Sequence, residues 1–395
     1  MRSFLFLLFI NFSLCLAAQT YQVGHRTLNF IDPARSNRNL PTEIYYPANT
    51  TGNGVPVANG TEQFAVVTFG HGFVMPYSAY SWLADSLVKY GYILAFPTTE
   101  SSLSPNHMEF GKDIAFLCQR ITSLNDSASS FLFGRVLNRS AAAGHSMGGG
   151  ASFLSMQYNT NINALFNFSA AETTPSAKAA ALSVHRPALI FAGTADCIVP
   201  DSNQLRMFNN VPYTCKTFID ITDALHCHFG NNDLTCSFGQ ITSGCNNSTI
   251  TAPIVFNKVQ TMLLPFLDYY LKGICTRGSD FENAYNSITG VTKQRTCSAD
   301  PYGCVTTGII DLEYNRQVKI MPNPLSRFEA LKITSKGKLI KSVVVTDALG
   351  HEVYFKTDLN KAEWTIKNVF TQKGLYIITV INNDIKAAVK KLLVN

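Results

Sequence analysis

The sequence predicts an α/β domain, in which helices cover both faces of a mostly parallel sheet, followed by a small all-β domain. The first observation is an alternation of apolar strand-like segments with helix-like segments between residues 60 and 270. Such alternation is typical of parallel sheets that are buried on both faces. The second is a change to Lys-rich segments with β-branched runs after about residue 304, which indicates an all-β module.

Each element follows from a local pattern. A buried strand is a short apolar run bounded by turn signals, and an amphipathic helix has apolar residues at a spacing of three to four. These patterns predict strands over residues 65–69, 92–96, 140–143, 165–168, 188–192 and 216–221. They predict helices over residues 78–90, 111–124, 147–158 and 255–271. In the C-terminal part they predict strands over residues 341–345 and 375–380.

The N-terminus has the parts of a secretory signal peptide: a positive charge at Arg2, an apolar stretch over residues 4–16, and small residues before Gln19. No later apolar segment reaches the ~18 residues that a membrane-spanning helix needs, so we expect no stable membrane insertion. The expected organisation is a signal peptide, a main domain and a C-terminal domain, over residues 1–18, 19–304 and 305–395.

The net charge of +6 comes from the C-terminal part. Residues 1–304 carry 18 Lys and Arg against 18 Asp and Glu, whereas residues 305–395 carry 14 against 8. A nucleic-acid-binding domain concentrates basic residues on the surface that meets the phosphates. The neutral main domain therefore argues against a nucleic-acid partner.

Nine cysteines follow the expected signal peptide, at positions 118, 197, 215, 227, 236, 245, 275, 297 and 304. In an exported protein such cysteines form disulfides more often than metal sites. Cys118 lies alone in an apolar helical stretch, which indicates a buried, unpaired thiol. The pairing of the other cysteines does not follow from the sequence.

The segment Gly144-His145-Ser146-Met147-Gly148 matches the G-x-S-x-G motif between a predicted strand and a predicted helix. A serine on such a sharp turn has a strained backbone, and small neighbours remove the steric clashes. Its hydroxyl then projects above the sheet at a helix N-terminus, which favours developing negative charge. We therefore predict that Ser146 is a catalytic nucleophile.

The motif also predicts the order of its partners, first an acid after a later strand and then a histidine. Asp196 follows the strand at 188–192 and is preferred to Asp201, which lies beyond a proline and is expected at the surface or as a helix cap. His226 and His228 both lie on a loop after the last strand. No third ligand has the spacing for a metal site with this pair, so no metal is expected, and no cofactor either.

The tetrahedral intermediate of a serine hydrolase needs two backbone N–H donors for its oxyanion. One is expected from Met147, the residue after the nucleophile. The other is expected from Phe73, which follows a glycine in the loop after the strand at 65–69.

Residues 60 to about 275 resemble the cutinase and polyester-hydrolase branch of the α/β-hydrolase fold, near the dienelactone hydrolases. The matching segments are Trp82-Leu83-Ala84, Tyr90-Gly91-Tyr92, Gly144 to Gly150, Ala195-Asp196, Val199-Pro200 and Leu225-His226. The resemblance implies a triad of Ser146, Asp196 and His226, with Phe73 and Met147 as oxyanion donors that also contact the substrate. Dienelactone hydrolases usually have a cysteine nucleophile, so Ser146 argues against that activity.

Two features depart from this family. Members that act on aromatic polyesters usually have a tryptophan after the strand that corresponds to residues 165–168, whereas this chain has no aromatic residue over 169–174. Glu172 is expected to line the cleft instead. The cysteines between 197 and 245 are more numerous than is usual, and they are expected to tie the acid and base loops together.

The C-terminal domain resembles the sorting domain of the type IX secretion system. The matching segments are Ile320-Met321-Pro322-Asn323-Pro324, Val345 to Gly350, Lys373-Gly374-Leu375-Tyr376-Ile377 and Lys390 to Val394. The resemblance implies a Bacteroidetes-type source, export through the periplasm by the type IX machinery, and a location outside the cell or on its surface.

The sequence thus predicts a secreted serine hydrolase that cleaves carboxylic esters, with an ester or polyester as substrate. No long lid insertion separates the predicted strands between residues 65 and 192, which suits a bulky substrate. One alternative is a lipase or short-chain carboxylesterase with the same triad. Another, from a different class, is a non-catalytic binding protein on a hydrolase scaffold.

Overall fold

A mostly parallel sheet with helices on both faces forms the larger part of the computed structural model, and antiparallel sheets form its C-terminal part. The structure describes residues 20–212, 215–231, 233–245, 248–297, 312–348, 352–356, 359–367, 369–382 and 387–395. The predicted signal peptide and the predicted boundary at residue 304 lie outside these ranges. The fold class expected from the sequence is confirmed.

Ten strands of the described chain form the main sheet: β1 (Gln22–Asp32), β2 (Arg38–Ala48), β3 (Gly52–Asn53), β4 (Phe64–Gly70), β5 (Tyr92–Pro97), β6 (Val136–His145), β7 (Ala164–Phe168), β8 (Ala188–Gly193), β9 (Cys215–Ile221) and β10 (Val291–Cys297). The helices that accompany it are α1 (Ser81–Leu87), α2 (His107–Thr122), α3 (Met147–Ser155), α4 (Ala177–Ala180), α5 (Asp201–Asn210), α6 (Leu234–Thr242), α7 (Ala252–Tyr270) and α8 (Thr276–Ser287).

The order of strands across the sheet is β10-β9-β8-β7-β6-β4-β5-β2-β1-β3. The six strands from β9 to β5 in this order are parallel, whereas β10 and β2 pair antiparallel at the two sides. The carboxyl ends of the parallel strands therefore lie at one edge. In such sheets, loops at that edge form the ligand-binding crevice.

The central strands are buried on both faces because their side chains alternate between two helical layers. In β6, Ala141 and Ala143 belong to a core with α1 and α7, while Ala142 belongs to a core with α2 and α3. Every residue of β4 is buried. An apolar run without alternation is therefore the pattern that these strands require.

The C-terminal part has its own core. Its elements are α9 (Leu312–Gln317), β11 (Val318–Met321), β12 (Leu331–Ser335), β13 (Ile340–Asp347), β14 (Glu352–Lys356), β15 (Glu363–Ile366), β16 (Gly374–Asn382) and β17 (Ala387–Val394). Strands β11, β12 and β15 form one antiparallel sheet, and β14, β13, β16 and β17 form another. Buried residues of both sheets pack together, as in a small sandwich.

None of the helices in the described part of the chain combines the length and the apolar content that crossing a bilayer requires.

Candidate active site

Ser146 lies on a sharp turn between β6 and α3. Its φ of 54° and ψ of −120° are a strained conformation for a residue with a side chain. The turn is possible because its glycines pack against neighbouring backbone: a Cβ on Gly148 would collide with the carbonyl of Gly70. This is the geometry that a G-x-S-x-G turn requires to raise its serine above the sheet.

Backbone hydrogen bonds hold this turn against the neighbouring strand. The Ser146 amide donates to the Phe168 carbonyl at 3.0 Å. The Ser146 carbonyl accepts from Ala171 at 2.8 Å and from Gly150, in the first turn of α3, at 3.0 Å. The serine is therefore fixed at the carboxyl edge of the sheet, between β6 and β7.

Asp196 and His226 form a buried pair at the same edge. Asp196 Oδ2 lies 2.7 Å from His226 Nδ1, and both side chains are at least nine-tenths buried. Asp196 Oδ1 accepts from the amides of Ile198 at 3.0 Å and Val199 at 2.8 Å, which fixes the carboxylate. Because Nδ1 is occupied by the carboxylate, Nε2 is the nitrogen that can exchange a proton with another group.

The elements after β8 and β9 bring this pair together. The amide of Thr194 donates to the Ile221 carbonyl, and that of Ala195 donates to the Ala224 carbonyl, both at 3.1 Å. A Cβ on Gly193 would collide with the Ala224 carbonyl, so the acid loop can approach the base loop only with glycine at this position.

His145, which directly precedes Ser146, contacts His226 and so places the serine turn next to it. In the part of the chain that the structure describes, no hydrogen bond joins the Ser146 hydroxyl to the His226 ring. The rings of His145 and His226 have centroids 4.6 Å apart, and His145 Nε2 lies 3.2 Å from the His226 carbonyl. Serine–histidine contacts without substrate are often long and tighten when substrate binds.

Two backbone N–H groups at the carboxyl edge of the sheet have no acceptor among the described residues. One belongs to Met147, the first residue of α3, whose amide lies at the unpaired helix N-terminus. The other belongs to Phe73, in the turn after β4, whose ring is 46% exposed. In the same turn the Gly72 amide donates to the Tyr80 hydroxyl at 2.9 Å. Free donors at these positions suit an oxyanion site.

Comparison with known families gives a match over this region. A family model described as PET hydrolase-like matches residues 31–242, which is more than half of the chain. The chain belongs to the PET hydrolase-like family. Membership agrees with the fold and the resemblance drawn from the sequence, and it supports an ester or polyester hydrolase in general.

The C-terminal part of this PET hydrolase-like protein matches a second family model. That model is described as a domain of unknown function and covers residues 316–394, the range of the antiparallel sheets. No curated protein matches the chain.

A buried chain of polar groups lies behind His226, and the sequence does not predict it. The Tyr80 hydroxyl lies 2.9 Å from His145 Nδ1, and His145 Nε2 faces the His226 carbonyl. Burial and the neighbouring His226 lower the pKa of His145 well below its usual value, and burial raises that of Tyr80. A neutral His145 can therefore accept from Tyr80 and donate to the carbonyl of His226, which positions the base.

The other sequence candidates lie apart from the Asp196–His226 pair. His228 Nδ1 accepts from the Leu225 amide at 3.2 Å, so this ring caps its own turn. Asp201 begins α5 and interacts with Asp220, a buried residue of β9. Burial and then the charge of Asp201 raise the pKa of Asp220 to about 7.

Glu172 directly follows Ala171, whose amide donates to the Ser146 carbonyl, but its own carboxylate is bound elsewhere. Its Oε2 accepts from the Lys178 amide at 3.3 Å and lies 3.8 Å from Lys178 Nζ, at the start of α4. The side chain is partly exposed. A role for Glu172 in lining the cleft stays a prediction.

Disulfides tie the loops that carry Asp196 and His226 to α6 and to the residues just after it. Cys197, directly after Asp196, is bonded to Cys245, and Cys227, directly after His226, is bonded to Cys236. A third disulfide, Cys215–Cys297, joins β9 to β10. Cys275 is also disulfide-bonded, whereas Cys118 is free and buried, as predicted.

The described ranges contain no group of three or more His, Cys, Asp or Glu side chains that could hold a metal ion.

Proposed function

We propose that the protein is a secreted serine hydrolase that cleaves carboxylic esters, including polyesters, through an acyl-enzyme. The observation that carries the proposal is the buried Asp196–His226 pair, 2.7 Å apart, beside the strained turn of Ser146. An acid, a base and a serine hydroxyl in this arrangement can convert an alcohol into a nucleophile.

In the first half of the reaction, the Ser146 hydroxyl attacks the ester carbonyl. The oxygen–carbon bond forms while His226 Nε2 takes the serine proton, and Asp196 holds the ring and stabilises its cation. The tetrahedral intermediate then collapses. The bond to the leaving oxygen breaks, and His226 returns the proton to the departing alcohol.

In the second half, water replaces the alcohol. His226 takes a proton from water as it attacks the acyl group on Ser146, and it then gives the proton back to the serine oxygen. The products are one acid and one alcohol for each ester and each water consumed. In both halves the amides of Met147 and Phe73 stabilise the oxyanion, and losing one donor of this kind raises the barrier by ~3 kcal/mol.

The family match favours an ester or polyester as substrate but does not choose among chain lengths. A lipase or short-chain carboxylesterase with the same triad is the alternative. The ring of Phe73 is 46% exposed, so a bulky chain can reach it.

A substrate panel on the purified protein and its Ser146→Ala variant tests the proposal. The panel contains p-nitrophenyl esters of increasing chain length, triglycerides, and films of an aliphatic and an aromatic polyester. We expect the wild type to hydrolyse p-nitrophenyl esters and at least one film, and the variant to lose both activities. Hydrolysis of soluble esters without film hydrolysis would favour the short-chain esterase. Equal rates for the variant and the wild type would refute the mechanism.

We also propose that residues 1–18 are a signal peptide, that residues 19–304 form the catalytic domain, and that residues 305–395 form a type IX sorting domain. The sequence motifs support this assignment, and the separate core of the antiparallel sheets is compatible with it. The test is a fluorescent protein carrying both terminal segments in a type IX-competent host. We expect export to the surface, and retention in the periplasm when the translocon is deleted; equal export in both hosts would contradict the assignment.

A further inference from the structure

Helix α6 exposes a stripe of apolar side chains. Leu234, Phe238 and Ile241 lie at positions i, i+4 and i+7, so they share one face of the helix. Their exposed fractions are 88%, 71% and 60%. The inward face carries Cys236, which is 8% exposed and disulfide-bonded. The apolar stripe of this helix is therefore turned outward, the reverse of the usual arrangement, which folding alone does not explain.

This helix is attached at both ends to the loops that carry the acid and the base. The disulfide from Cys227 reaches the first turn of α6, and the one from Cys197 reaches Cys245, just beyond its end. The Gln240 side chain accepts a hydrogen bond from the Cys227 amide at 3.1 Å. The position of α6 is thus tied to Asp196 and His226, and a surface that binds the stripe is held close to the candidate active site.

Apart from Asp233, whose carboxylate caps the first turn of α6, the segment around the stripe is uncharged. No Lys, Arg, Asp or Glu occurs between Leu234 and Asn257. A helix that lies on an anionic membrane normally carries Lys and Arg along its polar face, and α6 has none. An uncharged partner therefore matches this surface better than a lipid headgroup layer does.

The stripe is too small to hold a second copy of the chain. Three side chains of this size cover at most a few hundred Å². A stable dimer buries ~800 Å² on each partner. A small apolar contact suits reversible adsorption to an extended surface, where many molecules bind independently.

We infer that the exposed face of α6 adsorbs to the uncharged, apolar surface of an insoluble polyester and holds the candidate active site against it. The inference rests on the proposed function, because it names how that site reaches a solid substrate. Leu234, Phe238 and Ile241 contact the polymer, and the two disulfides transmit the position of α6 to the acid and base loops.

Adsorption to films of poly(ε-caprolactone) tests the inference on the full-length protein with Ser146→Ala, so that binding is measured without hydrolysis. The test variant adds Leu234→Ser and Phe238→Ser. The matched control adds Leu182→Ser and Phe133→Ser, which also remove one exposed leucine and one exposed phenylalanine. These control residues precede β8 and β6 and so lie toward the opposite edge of the sheet.

We expect the α6 variant to lower the film partition coefficient at least about tenfold, because most of the stripe is lost, and the control to leave it unchanged. In the active protein, the ratio of film hydrolysis to p-nitrophenyl butyrate hydrolysis should fall by a similar factor in the α6 variant. Equal adsorption by the two variants, or equal losses in both, would overturn the inference. So would a loss of binding to phosphatidylcholine vesicles without a loss on the film.

The outcomes separate this inference from the proposed function. If the active wild type fails to hydrolyse any ester, the proposed function fails whatever the adsorption result. If it hydrolyses the film and the α6 substitutions do not change adsorption, the proposed function stands and the role of α6 is refuted.

Discussion

The residues of the candidate site are arranged so that the His226 ring has one orientation. Asp196 occupies Nδ1 of His226 on one side, and His145 contacts the backbone carbonyl of His226 on the other. His145 in turn meets the hydroxyl of Tyr80, which also accepts from the Gly72 amide beside the expected oxyanion donor Phe73. One buried chain of hydrogen bonds therefore links the loop of the base to the loop of the oxyanion site.

The Asp196→Asn variant should show the effect of losing the correct orientation of His226 in a protein that still folds. Asparagine has almost the same shape as aspartate, but its amide favours the wrong tautomer of His226 and cannot stabilise its cation. We expect kcat for p-nitrophenyl butyrate to fall roughly 10⁴-fold. The measurement is steady-state kinetics, with thermal unfolding as a control for the fold. A loss of less than tenfold in a folded variant would argue against Asp196 as the acid.

Asp220 should make stability depend on pH. Burial and Asp201 raise its pKa to about 7, so the folded protein retains a proton that the unfolded chain releases near pH 4. Stability from this group is therefore present at pH 4 and is lost as pH rises to about 7. Asp220→Asn cannot ionise, and its amide can donate to Asp201. We expect the variant to gain on the order of 2 kcal/mol relative to wild type between pH 5 and pH 8.

Thermal unfolding of both proteins across this pH range is the measurement for Asp220. Unfolding temperatures that stay parallel from pH 5 to pH 8 would show that Asp220 ionises normally in the folded protein.

At the scale of elements, the strands that the sequence predicts are those that are buried along their whole length. Strands such as β4 and β8 lie in the parallel core and are continuous apolar runs. Strand β10 was missed, because it lies at one side of the sheet and carries charged residues at alternating, half-exposed positions. The sequence does not predict the antiparallel pair β1 and β2 either. Strand β1 lacks a continuous buried run, and β2, although mostly buried, contains Pro41 and Pro47, which argue against a strand.

Helix α6 was also missed, because its sequence is short and rich in Thr, Ser, Cys and Gly, without a recognisable apolar core face. It is attached to the rest of the domain by disulfides at Cys236 and at Cys245 just beyond its end, and cysteine pairing does not follow from a sequence. The sequence therefore supports the expectation that cysteines tie the acid and base loops together, but it does not predict the helix between them.

The two disulfides of this region should differ in their effect on stability. Cys227–Cys236 closes a short loop with a sequence separation of 9, and Cys197–Cys245 closes one with a separation of 48. Because the longer loop restricts the unfolded chain more, we expect paired Cys→Ser changes to lower the free energy of unfolding by about 3 and about 4 kcal/mol, respectively.

Denaturant unfolding of the two double variants under oxidising conditions measures this difference. A smaller loss for the Cys197–Cys245 pair than for the Cys227–Cys236 pair would mean that native-state contacts, rather than loop length, decide the contribution.

At the scale of the whole molecule, the order of the site residues could be predicted because the fold requires it. The carboxyl edge of a parallel sheet brings together the residues after β6, β8 and β9, which are Ser146, Asp196 and the loop of His226. The hydrogen bond between His145 and Tyr80 could not be predicted, since the two residues are 65 positions apart and no sequence motif relates them.

The PET hydrolase-like and C-terminal parts have separate cores, so they should be separable. The buried cluster of the antiparallel sheets contains only residues from 314 onward, and the clusters around the main sheet end before residue 292. We expect a chain ending at residue 304 to keep kcat/KM for p-nitrophenyl butyrate within about twofold of the full-length protein. A tenfold loss in a folded truncated protein would mean that the C-terminal part contributes to the site.

The most direct test of the mechanism is peptide mapping after reaction with a fluorophosphonate. This reagent modifies a serine that a neighbouring histidine activates, and it does so without any assumption about the substrate. We predict a single covalent adduct on Ser146, absent from Ser146→Ala and strongly slowed in His226→Ala. An adduct on another residue, or labelling that persists in Ser146→Ala, would contradict the account.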